Sequence, residues 1–424
     1  MIRYVFGGYL GIEFETNMAV EVLIIGAGPA GALAAALLCR QGLRVLVLER
    51  EQFPRFSIGE SLLPQSMEYL EQAGMLGAVE RAGFQIKNGA AFGRGEQYTE
   101  FDFRDKFSDG WSYTYQVPRA RFDHLLALEA QRQGAEIRFR HEVVAVDLSA
   151  ACPRVTIKDG QNDTSIIEAG FILDASGFGR VLPRLLRLER PSDFPVRGAI
   201  FTHVEDQIPS MAFDRNKIRI NVQPDNGDLW YWLIPFSDGR CSIGVVGALE
   251  ALAVYQGTET NRLRALIAAD ASMDRLLAQA RWDTPARQLV GYACNVSSLW
   301  GRGYALLGNA GEFLDPIFSS GVTIAFKSAS LAAALVPRQL AGKSVDCDRE
   351  FALPLKQGVD TFRAFVESWY RGGFQRIIFH PRQPADIRRM IAAILAGYVW
   401  DQSNPYVSQT RRRLAALEEL CYPG

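Results

Sequence analysis

The chain is built from blocks of different hydrophobic period. Val20 to Ile25 is an unbroken β-branched and aliphatic run, the pattern of a strand buried on both faces in a parallel sheet. The hexapeptide Gly26-Ala27-Gly28-Pro29-Ala30-Gly31 follows. Ala32 to Arg40 is rich in Ala and Leu, predicts a helix, and stops before Gly42. Val45 to Leu48 predicts a second buried strand and ends on Glu49. An amphipathic helix is expected from Val117-Pro118-Arg119 onward, then strands at Glu136 to Phe139 and up to Asp174-Ala175-Ser176-Gly177. Tyr304 to Leu307 reads as a late strand entering the turn Gly308-Asn309-Ala310-Gly311, and Gly321 to Leu335 as a long apolar helix.

The middle of the chain reads differently. Ala199 to Val204, Lys217 to Val222, Leu229 to Pro235 and Arg240 to Val246 predict an antiparallel sheet, with Ser237-Asp238-Gly239 as a hairpin turn. From about residue 346 the period is helical. Phe362, Phe365, Trp369 and Phe374 form an aromatic stripe there, expected to be a packing face and, in a short enzyme, also a candidate tunnel lining. The basic clusters Arg388-Arg389 and Arg411-Arg412-Arg413 read as solvated faces, with docking of an acidic carrier protein as a second use.

The first block carries the clearest chemistry. Gly26 allows a tight turn, Gly28 lets a pyrophosphate approach the backbone, and Gly31 lets helix and strand pack closely. The helix N-terminus offers amide donors and partial positive charge to that pyrophosphate, and Glu49 is placed to accept from a ribose. Strand, loop, helix, strand and acidic residue come in the order a dinucleotide site requires.

Composition narrows the class. The 424 residues are 48% hydrophobic and 22% charged, as in a soluble enzyme of two or three folding units. A net charge of −1 argues against nucleic acid as a partner. Six scattered cysteines without a CxxC pair, and only four histidines, point to a reducing, cytoplasmic setting with no structural metal. No apolar run has membrane-spanning length. Residues 1–17 lack the pattern of a signal peptide and are expected to be peripheral, upstream of a more usual enzyme start at Met18.

Three further motifs sharpen the reading. In Leu229-Trp230-Tyr231-Trp232-Leu233-Ile234-Pro235, Trp230 and Trp232 are two apart and share one face of a strand. They are either core anchors or an aromatic wall beside a redox cofactor. Phe313-Leu314-Asp315-Pro316-Ile317-Phe318-Ser319-Ser320-Gly321 is a turn entering a helix, and Phe84-Gln85-Ile86-Lys87-Asn88-Gly89-Ala90-Ala91-Phe92 holds a lysine next to a turn signal. Lys87 is therefore open to a second reading as a surface loop residue, Ser319-Ser320-Gly321 as a plain N-cap, and Glu60 as a first-turn acid. His124 and His203 show no partner pattern and read as structural.

Over roughly residues 20–345 the chain resembles the group-A flavoproteins of the FAD monooxygenase superfamily. More closely, it resembles the flavin-dependent halogenases and their short, halogenase-like oxidoreductase relatives. Trp230-x-Trp232-x-Ile234-Pro235 matches the family's WxWxIP pattern. Phe313-x-x-Pro316-x-x-Ser319-x-Gly321 matches FxxPxxSxG, Lys87 falls in a segment similar to KxGxxF, and Ile58-Gly59-Glu60-Ser61 adds to the match.

The resemblance implies an α/β protein. A Rossmann-type FAD-binding domain would occupy 19–189 and 289–345, with an inserted antiparallel-sheet substrate domain at 190–288. A C-terminal helical region would cover 346–424 and an N-terminal extension 1–18. It assigns Gly26, Gly28, Ala30, Gly31, Glu49, Arg50, Ser61, Arg119, Asp174, Gly308, Asn309, Pro316, Gly321 and Val322 to FAD. It assigns Ser319, Ser320 and Gly321 to chloride or bromide, and Lys87, Trp230 and Trp232 to catalysis.

The implied activity uses reduced flavin from a separate reductase, dioxygen and halide to make hypohalous acid. Lys87, in a pocket that lowers its pKa, would steer or carry the halogen to an electron-rich phenol or pyrrole, free or carrier-tethered. The alternative is a monooxygenase or dehydrogenase acting on an aryl or polyene intermediate. Two departures bear on this. Gly308-Asn309-Ala310 replaces the usual Gly-Asp-Ala, and Phe92-Gly93-Arg94-Gly95 lacks the tryptophan that often follows KxGxxF.

Overall fold

The computed structural model describes residues 16–150 and 152–421. Most of the N-terminal extension expected over 1–18 lies outside the described residues. The first strand starts earlier than its aliphatic run, at Thr16, and runs to Ile25.

That strand is central to an eight-stranded sheet. Its parallel neighbours are Val45–Glu49 and the long strand Thr164–Asp174, and the sheet continues in parallel through Glu136–Phe139 on one side and Tyr304–Leu306 on the other. Both faces are covered, so Val22 to Ile24 and Val45 to Leu48 are almost wholly buried. Helix Pro29–Cys39 packs on one face against the long helix Gly321–Leu340. This arrangement is the Rossmann-type α/β fold expected from the sequence.

A second sheet of seven strands stands beside it, in the order Arg287–Val290, Arg197–Glu205, Arg240–Ala248, Asn226–Pro235, Lys217–Gln223, Gly89–Arg94, Gln97–Asp102. Its first five strands are antiparallel, and four of them are the strands the sequence predicts for an antiparallel sheet. Its last two come from the first half of the chain, inside the segment assigned by sequence to the FAD-binding domain. Gly89–Arg94 joins by pairing in parallel with Lys217–Gln223. A parallel partner so far along the chain leaves no mark in local periodicity.

The C-terminal helices Leu353–Tyr370, Gly373–Phe379 and Ala385–Leu395 close the molecule. The aromatic stripe is a packing face: Phe362, Phe365, Trp369 and Phe374 are fully buried. Phe365, Trp369 and Phe374 surround Phe318 with ring centroids 6.4, 6.2 and 5.5 Å away, and Trp369 also meets Phe92 at 6.1 Å. The C-terminal region is thereby packed against both the Pro316–Phe318 turn and the seven-stranded sheet. Among the described residues no helix is long and apolar enough to cross a membrane.

Candidate active site

One cleft runs between the two sheets. The fingerprint loop (Gly26, Gly28, Ala30), Glu49, Arg50 and Arg119 line one part of it. Gly308, Asn309, Pro316 and Ser319 to Val322 line another, and Phe201, Trp230, Trp232 and Ile234 form the wall on the seven-stranded sheet.

The fingerprint loop has the geometry its glycines suggest. Gly26 has φ +96°. A Cβ at Gly31 would collide with the Gly26 carbonyl, so Gly31 serves helix–strand packing and does not line the cleft. Glu49 is buried, its Oε2 accepting from Ala27 N at 3.0 Å and its Oε1 from Glu51 N at 3.0 Å. Two backbone donors fix the carboxylate at the cleft, and each oxygen retains a lone pair for a ribose hydroxyl. Arg55 was not singled out by sequence. Its guanidinium lies 3.5 Å from where a Gly28 Cβ would stand, held there by a 2.9 Å bond to Asp123. It brings positive charge to the loop where a pyrophosphate would sit.

Several assigned residues act through others. Arg119 Nε and Nη2 grip the two Asp123 oxygens at 2.7 and 3.0 Å, while Nη1 donates to Ile58 O at 2.6 Å. Most of its donor fork is thus spent on fastening the Ile58–Gly59 loop to helix Arg119–Arg132. Asp174 departs from its assignment. It is fully buried, is not part of the cleft lining, and accepts from Ser176 N at 2.9 Å and Leu182 N at 2.6 Å. Its carboxylate turns inward to the amide just past the strand and to one in the first turn of the helix Val181–Leu185. Arg50 is exposed at the cleft mouth, with its guanidinium 3.7 Å from Glu51.

The Phe313–Gly321 segment forms the far side. Asp315 caps the turn Pro316–Phe318, its Oδ1 accepting from Ile317 N at 3.0 Å. Ser319 then takes the left-handed conformation, φ +55°, and Ser320 leads into the 20-residue helix that starts at Gly321. Ser320 makes no side-chain cap bond, so it does not act as a plain N-cap. The first amides of this helix have no intrahelical acceptor and carry the positive end of its dipole, which suits an anion.

Trp230 and Trp232 lie on the cleft face of their strand, ring centroids 6.1 Å apart. They are core and wall at once, exposed by only 1% and 6%. Trp232 Nε1 donates to Ser242 Oγ at 3.0 Å. Trp230 Nε1 donates to Tyr370 Oη at 3.0 Å, and Tyr370 donates to Asp315 Oδ2 at 2.9 Å. Tyr292 donates to the same oxygen at 3.3 Å. Burial pushes the Asp315 carboxyl up to about 6.

Lys87 is not a loop residue on the surface. It ends the short strand Gln85–Lys87 and is 1% exposed. It does not line the cleft. Its Nζ donates to Ser61 Oγ and Leu62 O, both at 2.8 Å, and lies 5.5 Å from the Phe103 ring centre. Ser61 does line the cleft and stands between Lys87 and the open space. Burial lowers the Lys87 pKa from the ordinary lysine range to about 7, in the expected direction.

These residues fit FAD. The glycine cradle, the pinned Glu49 and the Arg55 charge suit its adenine dinucleotide half, and the cleft continues to the Gly308 and Ser319–Val322 turns for the flavin end. When bound, the flavin would supply two-electron redox chemistry and a means of activating dioxygen.

Comparison with known proteins agrees. Residues 19–234 match the FAD binding domain family. The chain is 30% identical to a flavin-dependent halogenase of Penicillium aethiopicum, covering 81% of this chain and 70% of that one. It is 27% identical to the 1H-pyrrole-2-carbonyl-[peptidyl-carrier protein] chlorinase of Pseudomonas fluorescens over 94% of each. It is 29% identical to the tryptophan 2-halogenase of Chondromyces crocatus over 77% of this chain, and spans 62% of that protein's length. The crystal structure of a flavoprotein/dehydrogenase from Cytophaga hutchinsonii superposes with a TM-score of 0.92 at 43% identity, covering 95% of this chain and 99% of that one. The chain is a flavin-dependent oxidoreductase and belongs to the flavin-dependent halogenase family.

Proposed function

We propose that this protein is an FADH2-dependent halogenase. It would use dioxygen and chloride or bromide to halogenate an electron-rich aromatic, a phenol or a pyrrole, in secondary-metabolite or pigment biosynthesis. The observation that carries the reading is the shared cleft: Trp230 and Trp232 line the same space as the fingerprint loop and the Ser319–Val322 turn. The backbone amides of the Ser319-Ser320-Gly321 turn would hold the halide. The two indoles would keep water and the aromatic substrate from the flavin end. Lys87 would engage the hypohalous acid through Ser61, its amine half neutral near pH 7. A carrier-tethered substrate is within this proposal, by analogy with the Pseudomonas chlorinase. Reduced flavin would come from a separate reductase in the cytoplasm.

A second reading has its own support. Lys87 lies off the cleft, and the Cytophaga neighbour is described as a flavoprotein/dehydrogenase. A monooxygenase or dehydrogenase on an aryl or polyene intermediate would need no exposed lysine. Purified protein with FAD, a flavin reductase, NADH and bromide separates the two. Phenolic, pyrrolic and carrier-bound probes are analysed by mass spectrometry. Brominated product supports the halogenase, whereas products that only gain oxygen or lose two hydrogens support the second reading.

A further inference from the structure

Glu60 lines the cleft, yet its side chain is completely buried. Its Oε1 accepts from His203 Nε2 at 2.8 Å. Its Oε2 is buried with no hydrogen-bond partner among the described residues. A half-satisfied buried carboxylate is costly, and a donor arriving with a ligand would remove that cost.

The surroundings indicate which ligand. His203 lies on strand Arg197–Glu205, and its ring packs 5.2 Å from Phe236 and 5.8 Å from Phe56. Phe56 stacks on Phe201 at 6.2 Å, and Phe201 meets Trp232 at 6.0 Å. A continuous run of aromatic rings thus leads from the tryptophan wall to the one acceptor of the pair that is free. Flat rings bind flat rings, and the free acceptor calls for an O–H or N–H on the ring edge.

We propose that Glu60 and His203 form the polar end of the substrate subsite, taking the phenolic O–H or pyrrolic N–H of an aromatic substrate and accepting its proton. This rests on the halogenase reading only for the reaction that follows. Glu60 takes the O–H or N–H proton, and the electron pair left on the heteroatom enriches the ring. The ring carbon bonds to the halogen of hypohalous acid as the halogen–oxygen bond breaks. The hydroxide released takes the proton back from Glu60 and leaves as water. The ring carbon then loses its hydrogen as a proton, the heteroatom regains one, and aromaticity returns. The halogen is reduced and the ring oxidised by two electrons. His203 holds Oε1 throughout, so that only Oε2 faces the donor, and its imidazole is one-fifth exposed, offering a route to solvent.

Calorimetry on the FAD-loaded protein tests the subsite without turnover. The probes are 2-naphthol and 2-methoxynaphthalene, which share a ring system and differ in the donor. Wild type should bind the naphthol at least tenfold more tightly. Glu60→Gln, which puts an amide N–H where the free acceptor stood, should erase that preference while FAD affinity and thermal midpoint stay close to wild type. His203→Gln, which keeps a donor to Oε1, should retain most of it. Equal binding of the two probes, no binding of either, or a preference that survives Glu60→Gln overturns the proposal. A wild-type protein that shows the preference but never yields brominated product refutes the halogenase reading and leaves the subsite standing.

Discussion

Lys87 Nζ lies 2.8 Å from Ser61 Oγ, and it is Ser61, not Lys87, that lines the cleft. Any chemistry of the lysine must pass through that hydroxyl or follow a rearrangement that uncovers it. Lys87→Met keeps the chain length and apolar bulk while removing the amine. Product formation is expected to fall by a factor of about 100 or more, the range for losing a positioned acid–base or nucleophilic group. FAD affinity should change less than twofold. Brominated product per mole of reduced flavin consumed measures it. A Lys87→Met protein that brominates at the wild-type rate would remove Lys87 from the chemistry.

The same lysine sets a pH dependence. Its folded pKa, near 7, lies below the ordinary lysine value of 10.5 because burial penalises the charge. An unfolded chain therefore holds more protons than the folded one between about pH 7 and 10.5. Stability from this group rises with pH across that window, by a few kcal/mol in total, and is flat below it. Urea midpoints measured from pH 7 to 9.5 should rise more in wild type than in Lys87→Met. In turnover, a neutral amine as the reacting form predicts a rate that climbs through pH 7 in wild type alone.

Tyr370 joins three parts of the molecule through one hydroxyl. It accepts from Trp230 on the seven-stranded sheet and donates to Asp315 beside the Ser319–Gly321 turn, while Arg197 lies 3.5 Å from its ring centre. Tyr370→Phe keeps the ring and the cation contact. It leaves an indole N–H unpaired and takes one donor from a buried carboxylate, a cost of about 1–3 kcal/mol. The expected signs are a lower denaturation midpoint, changed tryptophan fluorescence, and bromide affinity reduced severalfold with FAD affinity unaltered. Unchanged bromide affinity would mean that the hydroxyl serves stability alone.

How much of this could be read in the sequence depends on how local each feature is. The FAD fingerprint is one contiguous strand, loop and helix, so its residue spacing records its geometry. The WxWxIP strand was legible for the same reason, since period-two spacing fixes which side chains share a face. The contacts that organise the site are not local. Glu60 meets His203 across 143 residues, and Tyr370 meets Asp315 across 55. His203 looked structural because its partner lies in another element. The resemblance assigns Asp174 to FAD, whereas its carboxylate is used by the amides two and eight residues further along the chain. The Asn88-Gly89 turn signal left Lys87 open to a surface-loop reading, whereas Asn88 N bonds to Asn216 O and Gly89 opens a paired strand.

Asp315 gives a stability profile of opposite sign to that of Lys87. Its folded pKa, about 6, lies above the ordinary aspartate value of 3.8, again because burial disfavours the charge. The folded chain holds the extra proton between about pH 4 and 6, so stability from this group falls as pH rises through that window and stays lower above it. The full change is on the order of 3 kcal/mol. Asp315→Asn should flatten the fall, measured as urea midpoints between pH 4.5 and 6.5. A wild-type profile with no Asp315-dependent slope would show that the Tyr370 and Tyr292 donors hold the carboxylate ionised.

Gly244 controls the position of Trp232. The two residues are cross-strand partners, and a Cβ at 244 would collide with the Cζ2, Cη2 and Cε2 atoms of the indole. The strand backbone behind it is buried and paired on both sides, so the indole is the part that must move. Gly244→Ala is therefore expected to push Trp232 toward the cleft, breaking its bond to Ser242. Overpacking of this kind costs about 1–3 kcal/mol. The displaced ring would narrow the space that the flavin end needs, so FAD affinity should drop by tenfold or more and the tryptophan emission should shift. Trp232→Phe in the Gly244→Ala background frees the colliding volume and should restore FAD binding. If the double variant binds FAD no better than Gly244→Ala alone, the collision does not act through Trp232.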